Sequence, residues 1–388
     1  MSHSAQTVRL DQSNLEADYV APQNSTQTQL VEIWEQLLEI TPISIRDNFF
    51  EIGGDSLLAV RLFAQIEQTF GKSLSLSTLL QSPTVEQLAS VLGETTSPSW
   101  SSLVPIQPNG SKPPFFCVHG NGANVLVFNE LANHLGTDRP FYGLQARGVD
   151  GKEAALDRIE DMAAFYIQEM RTIQPQGPYF LGGFSSGGLV AFEIAQQLHA
   201  EGEQVAFLGL FDTFVPGSFP SVSIPERLAR HWRNLFRLGA KYPLKMLRSA
   251  WLRVYNKNVC RLYQLFRINW LDWPYERKRR YIGICIRRAV KAYVPQVYPG
   301  QVTLFRASEP PMGWYYMGRD FPTPDDWYDR DPQYGWGNLV GELASHDVSG
   351  HHGSMLKEPH VAGLTEKLRA SLDAALNTAE LTGSNHVS

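Results

Sequence analysis

Glycines bracket a pair of serines in GGFSSGG, residues 182–188, with the apolar run PYFL directly before them and LVAFEIAQQL directly after. An apolar run that gives way at once to a helical pattern requires a turn so tight that the residues flanking it need glycine, and a serine at its apex is forced outward. Such a strand–turn–helix unit belongs in a mostly parallel sheet covered by helices. Ser185 has Gly183 and Gly187 two residues to either side, whereas Ser186 would have Phe184 on one side, so Ser185 takes the apex.

The rest of that region fits the same architecture. Short apolar runs at 115–120, 140–145, 178–184, 204–212, 301–305 and about 343–348 alternate with amphipathic stretches, the rhythm of strands and helices in an α/β sheet. Between the fourth and fifth runs lie about 90 residues of basic, aromatic, largely helical sequence. That is far beyond an ordinary βα connection, and it is expected to form a helical lid over about 216–296.

The N-terminal part has a different period. Leu30, Ile33, Trp34, Leu37 and Leu38 mark one buried helix face, with Thr26 and Gln29 expected to form a capping box. A second helix is expected from Ser56, burying Leu58, Leu62, Ile66 and Phe70, and a third after Thr84, capped with Gln87. The Ser- and Pro-rich stretch 94–112 reads as a linker. The expected division is a lead-in over 1–25, a helix bundle over 26–93, the linker, an α/β domain over 113–378 and a tail over 379–388.

Charge divides along the same line. Residues 1–98 hold 4 Lys/Arg and 12 Asp/Glu, while residues 221–300 hold 18 Lys/Arg and 3 Asp/Glu, although the whole chain nets only −5. No uncharged apolar run reaches the roughly 18 residues that span a bilayer, and MSHSAQTVRLDQSN lacks the apolar core of a signal peptide. A cytoplasmic protein is expected. Cys117, Cys260 and Cys285 show neither CxxC spacing nor disulfide density, so all three are expected reduced, and no metal site is expected.

Two groups of residues carry chemistry. In DNFFEIGGDSLLAV, residues 47–60, Gly53 and Gly54 form a turn, Asp55 takes the N-cap, and Ser56 opens a helix whose positive end favours a phosphate. In the second group, Ser185 needs a base and an acid that orients it. Asp212 closes the next strand, FLGLFD, and SHDVSGHHGSML supplies His346, His351 and His352 as candidates, with His346 expected inside the last strand as a structural residue. An oxyanion hole would use the backbone N–H of Ser186 and one from HGNGAN, residues 119–124. His119 itself reads as a residue that packs that loop.

From Tyr19 to Leu92, with VAPQN, DNFFEIGGDSL, the FG at 70–71 and SPTVEQLA, the chain resembles a peptidyl carrier domain of a nonribosomal peptide synthetase. That resemblance implies 4′-phosphopantetheine on Ser56 and a phosphopantetheinyl transferase as partner. From Phe115 to about Leu376, with FCVHG, GGFSSGG, LFD, YPGQVTLFRA, YGWGNL and VSGHHGSMLKEPHV, it resembles the type I thioesterase domain, an α/β-hydrolase, that ends nonribosomal peptide and polyketide assembly lines. Matching the family pattern VxGxHxxML puts the catalytic histidine on His352, with His351 in reserve, and the resemblance over HGNGAN favours Asn121 as the second oxyanion donor. The expected partners are upstream adenylation, condensation or ketosynthase domains and an acyl or peptidyl thioester, without nucleic acid or membrane. An editing thioesterase and a membrane-surface acyl hydrolase are the alternative readings.

Overall fold

A computed structural model describes residues 19–94 apart from 73 and 75, 101–149, 153–218, 275–309, 315–316, 319–320 and 331–384, with isolated positions between 225 and 273. The chain divides into two compact units, Met1–Trp100 and Ser101–Ser388. Most of the expected lid, with Cys260, lies outside the described residues; its described part is chiefly the helix Tyr275–Ala292.

The first unit is a helical bundle of α1 (Ser25–Leu38), α2 (Ser56–Phe70), the short α3 (Thr78–Gln81) and α4 (Val85–Gly93). Its core forms because the apolar stripes of these helices meet around two aromatics. Trp34 and Phe49 are fully buried with ring centroids 5.0 Å apart, and Leu30, Leu62, Ile66 and Leu88 are buried with them. Of the residues expected to face inward from α2, Leu58 and Phe70 are only half-buried. The cap of α1 also differs from expectation: Asn24, not Thr26, is the N-cap, its side chain accepting from the Gln27 N–H at 2.9 Å. The Thr84–Gln87 capping box is present at α4.

The second unit is a seven-stranded sheet flanked by helices. Its strands are β1 (Leu103–Gln107), β2 (Phe115–Val118), β3 (Phe141–Leu144), β4 (Tyr179–Phe184), β5 (Val205–Phe211), β6 (Tyr298–Ala307) and β9 (Val340–Val348), in the order β1-β3-β2-β4-β5-β6-β9. A separate hairpin joins β7 (Tyr315–Tyr316) to β8 (Arg319–Asp320). All neighbours in the large sheet are parallel except β1 and β3. This is the α/β-hydrolase-like, mostly parallel arrangement, and in the chain it follows the helical bundle. The helices α5 (Asn129–Leu135), α6 (Ile159–Arg171), α7 (Ser186–Ala200), α8 (Tyr275–Ala292) and α9 (Val361–Ser384) follow in chain order.

Strand β1 falls inside the stretch read as linker. Its Pro105 lacks an N–H, and an edge strand is where a sheet tolerates that loss; β1 is the sheet edge, and its register shifts between Pro105 and Gln107.

Candidate active site

The central strand β4 ends at Phe184, and α7 starts at Ser186, leaving Ser185 alone between them with φ 58° and ψ −121°. A side chain held in that left-handed region costs free energy, of order 1–3 kcal/mol, and persists only where its surroundings impose it. Here the imposition is steric. A Cβ at Gly183 would overlap the Gly187 carbonyl, and one at Gly187 would overlap the carbonyls of Val118 and His119. The turn is therefore pressed against the end of β2. The Ser185 N–H donates to the Phe211 carbonyl at 2.9 Å, which ties the apex to β5. Ser186 Oγ is buried with no hydrogen-bond partner among the described residues.

Asp212 follows β5 with φ 45° and is 1 % exposed. Its carboxylate is held on both oxygens. Oδ2 lies 2.6 Å from His352 Nδ1, while Oδ1 accepts the Ala307 N–H at 3.0 Å and the Tyr334 O–H at 3.2 Å. The His352 ring, itself buried, stacks on Phe184 with centroids 4.7 Å apart. An imidazole is thereby placed beside the residue that precedes Ser185, with its Nδ1 fixed by the acid.

His351 points elsewhere. Its Nδ1 accepts the Gly353 N–H at 3.0 Å, inside its own turn. His346 lies in β9 and stacks on Phe305, and burial, with Lys367 nearby, lowers its pKa.

Tyr334 and Trp336, which lie in the YGWGNL motif but to which the sequence assigns no role, support Asp212 and the residue after it. Tyr334, with φ 52°, stacks on Phe214 at 3.7 Å, and Trp336 donates its indole N–H to the Thr213 carbonyl at 2.8 Å. The Thr213 hydroxyl donates in turn to the Ser185 carbonyl at 2.9 Å. The aromatic and glycine run YGWG thus clamps the residues just after the acid. In the sequence this run stands out as part of the thioesterase resemblance, but nothing there joins it to Asp212.

Asn121 lies in the loop after β2. A Cβ at the neighbouring Gly120 would come within 3.0 Å of the Phe184 ring, so this loop abuts the turn that carries Ser185. Ser186 supplies the first N–H of α7, at the positive end of the helix dipole.

In the other unit, Ser56 is the first residue of the 15-residue α2. Asp55 caps this helix, accepting the Leu58 N–H at 2.9 Å. Gly53 has φ 100°, and a Cβ at Gly54 would overlap the Phe49 ring. The glycine pair therefore sets the tight approach that starts the helix at residue 56.

The family profile described as a phosphopantetheine attachment site matches residues 28–92, and that described as a thioesterase domain matches residues 113–229. The chain is 31% identical over 360 residues to a dimodular nonribosomal peptide synthase of Bacillus subtilis (strain 168), an alignment that covers 91% of this chain and 14% of that protein. It is 43% identical over 199 residues to an indigoidine synthase of Dickeya dadantii (strain 3937), covering 51% of this chain and 13% of the relative. Among solved structures, a four-domain nonribosomal peptide synthetase bound to AMP and glycine matches with 29% identity and a TM-score of 0.53, over 90% of this chain and 26% of that one. The chain spans about one seventh or less of the length of these two curated relatives.

Proposed function

We propose, for a chain that carries a phosphopantetheine attachment domain over residues 28–92 and a thioesterase domain from residue 113, that it holds an acyl or peptidyl group on Ser56 and releases it through Ser185. Carrier and thioesterase domains occur together in the synthetases it resembles, and modification by a phosphopantetheinyl transferase goes with the first of them. The finer proposal adds upstream adenylation, condensation or ketosynthase domains as sources of the group, and a cytoplasmic setting. Among the described residues no helix is long and apolar enough to cross a membrane.

The start of α2 fits a phosphodiester. The glycine turn brings residue 56 to the positive end of a helix whose first turn holds no acidic residue. When bound there, 4′-phosphopantetheine supplies a flexible arm ending in a thiol that carries the group as a thioester.

At the second site, the observation that carries the reading is the 2.6 Å contact between His352 Nδ1 and Asp212 Oδ2, beside a serine held at φ 58°. With Asp212 accepting a hydrogen bond from Nδ1–H, Nε2 is left bare and acts as the base. It takes the Ser185 hydroxyl proton as Oγ attacks the thioester carbon. The oxyanion that forms is met by the N–H groups of Ser186 and Asn121. Collapse expels the thiolate, which takes the proton back from His352, and leaves an ester on Ser185. Water, or a nucleophile within the acyl group, then gives its proton to Nε2 and attacks that ester. The Ser185 Oγ leaves and recovers the proton.

The attachment half is tested by incubation with coenzyme A and a promiscuous phosphopantetheinyl transferase, read by intact mass. The wild type should gain one arm and Ser56→Ala none; a modified Ser56→Ala protein would refute the assignment.

A further inference from the structure

His119 is buried at 3 % exposure and plays no part in the proton transfers above. Its Nδ1 lies 2.6 Å from the Gly120 carbonyl oxygen and its Nε2 3.0 Å from the Tyr166 hydroxyl. We infer that His119 is a positioning residue that fixes the Gly120–Asn121 peptide so that the Asn121 N–H faces the oxyanion. This rests on the proposed role of Asn121.

A carbonyl oxygen can only accept, so the 2.6 Å contact requires the proton on Nδ1. Burial pushes the imidazole down to about 4, so the ring is neutral at pH 7 and Nε2 is bare. Tyr166, from α6, meets that bare nitrogen with its hydroxyl, which lies between two acceptors, Nε2 at 3.0 Å and the Gln145 carbonyl at 3.1 Å. The acceptor-only Gly120 carbonyl sets this tautomer, and the tyrosine hydroxyl, which can donate or accept, holds the ring from its other side. The opposite tautomer would set two lone pairs against each other at 2.6 Å.

The Gly120 oxygen receives a second donor, the Ala123 N–H at 3.1 Å. Two donors on this oxygen hold the peptide that it belongs to. The Gly120–Asn121 bond is not among the cis peptides, and in a trans peptide the C=O and N–H point in opposite directions. The Asn121 N–H is therefore turned away from His119, and no protein acceptor takes it among the described residues. The same loop lies against the Ser185 turn, through Gly120 on Phe184 and through the carbonyls of Val118 and His119 over Gly187. Were the peptide to flip, the Gly120 oxygen would point where an oxyanion forms, replacing attraction by repulsion.

The test uses the full chain, a short acyl thioester in solution, an alkylboronic acid and the unreactive thioether of the substrate. The boronic acid bonds to Ser185 Oγ and becomes a tetrahedral anion, the proton passing to His352, so its affinity reads the oxyanion donors directly. The thioether reads ground-state binding alone. His119→Phe should lower kcat about 10- to 100-fold, somewhat less than deleting a donor outright, with boronate affinity falling in parallel and KM and thioether affinity unchanged. Tyr166→Phe should give a smaller loss of the same pattern. His119→Asn should restore most of kcat, because its side-chain amide N–H can take the place of Nδ1–H. If His119→Phe does not fold, the Tyr166→Phe and His119→Asn results stand alone. Wild-type kcat in Tyr166→Phe, His119→Asn as slow as His119→Phe, or boronate and thioether affinities falling together would overturn the inference. Wild-type kcat from a folded Asn121→Pro variant, which lacks the N–H, would instead remove the oxyanion reading beneath it.

Discussion

Replacing Asp212 by asparagine changes one oxygen to a nitrogen, and the structure dictates which. Oδ1 accepts two donors, the Ala307 N–H at 3.0 Å and the Tyr334 O–H at 3.2 Å, so the amide oxygen of the variant is held there. The NH2 group then falls at the Oδ2 position, 2.6 Å from His352 Nδ1. It can only donate, so Nδ1 must become the acceptor and the ring proton must move to Nε2, which can no longer take the Ser185 proton. Turning the amide over would restore the tautomer, but it would set NH2 against the Ala307 N–H and forfeit that hydrogen bond, at about 1 kcal/mol or more plus the repulsion, even if the Tyr334 hydroxyl turned to accept. Neither route is open at low cost. The stabilisation of the imidazolium by a full negative charge is lost in both, so Asp212→Asn should lower kcat by about 10⁴-fold, as found when a triad acid is changed in this way. The assay is steady-state release of a short acyl thioester in solution, with thermal unfolding measured alongside. A folded Asp212→Asn protein within tenfold of wild-type kcat would refute the assignment of the acid and the tautomer argument together.

His352→Ala should be as damaging as loss of Ser185, while His351→Ala, whose ring only accepts from Gly353, should change kcat by less than about threefold; steady-state kcat of the two variants decides between them. Tyr334→Phe removes one of two donors on Asp212 Oδ1 and should cost about 1 kcal/mol of transition-state stabilisation, roughly fivefold in kcat with KM unchanged, read by the same kinetics. His119 predicts a pH effect on stability. Its folded pKa of about 4 lies below the ordinary 6.5, so between those values the unfolded chain binds a proton that the folded one does not, and stability falls as pH drops. The term amounts to something on the order of 3 kcal/mol, and denaturant titrations of His119→Asn should show a shallower decline from pH 6.5 to 4 than the wild type.

What could be read from the sequence depended on how local the cause was. The turn around Ser185 is legible because its demand for glycine falls within seven consecutive residues. The Thr84–Gln87 capping box is legible for the same reason, being a contact of residues three apart. At α1 two polar residues, Asn24 and Thr26, are each followed three positions on by a glutamine. Asn24 is the cap, its side chain accepting the Gln27 N–H, and the local pattern alone does not tell the two apart. Strand β1 was hidden because Pro105 and the surrounding serines carry linker composition, and only its place at the sheet edge makes that composition harmless. The hydrogen bond from Tyr334 to Asp212 spans 122 positions, and no periodicity joins the two. His119 packs against the glycine loop as its neighbours in sequence suggest. What the sequence does not show is the Tyr166 hydroxyl, 47 residues away, that holds the other side of the ring.

The account turns on Ser56 and Ser185 acting as successive holders of one acyl group, and intact-mass spectrometry after loading the chain with an acyl-phosphopantetheine from acyl-coenzyme A tests this directly. The wild type should lose the acyl mass over time and keep the arm, while Ser185→Ala should load to the same extent and retain the acyl group. Loss of the acyl mass from Ser185→Ala at the wild-type rate would contradict the account.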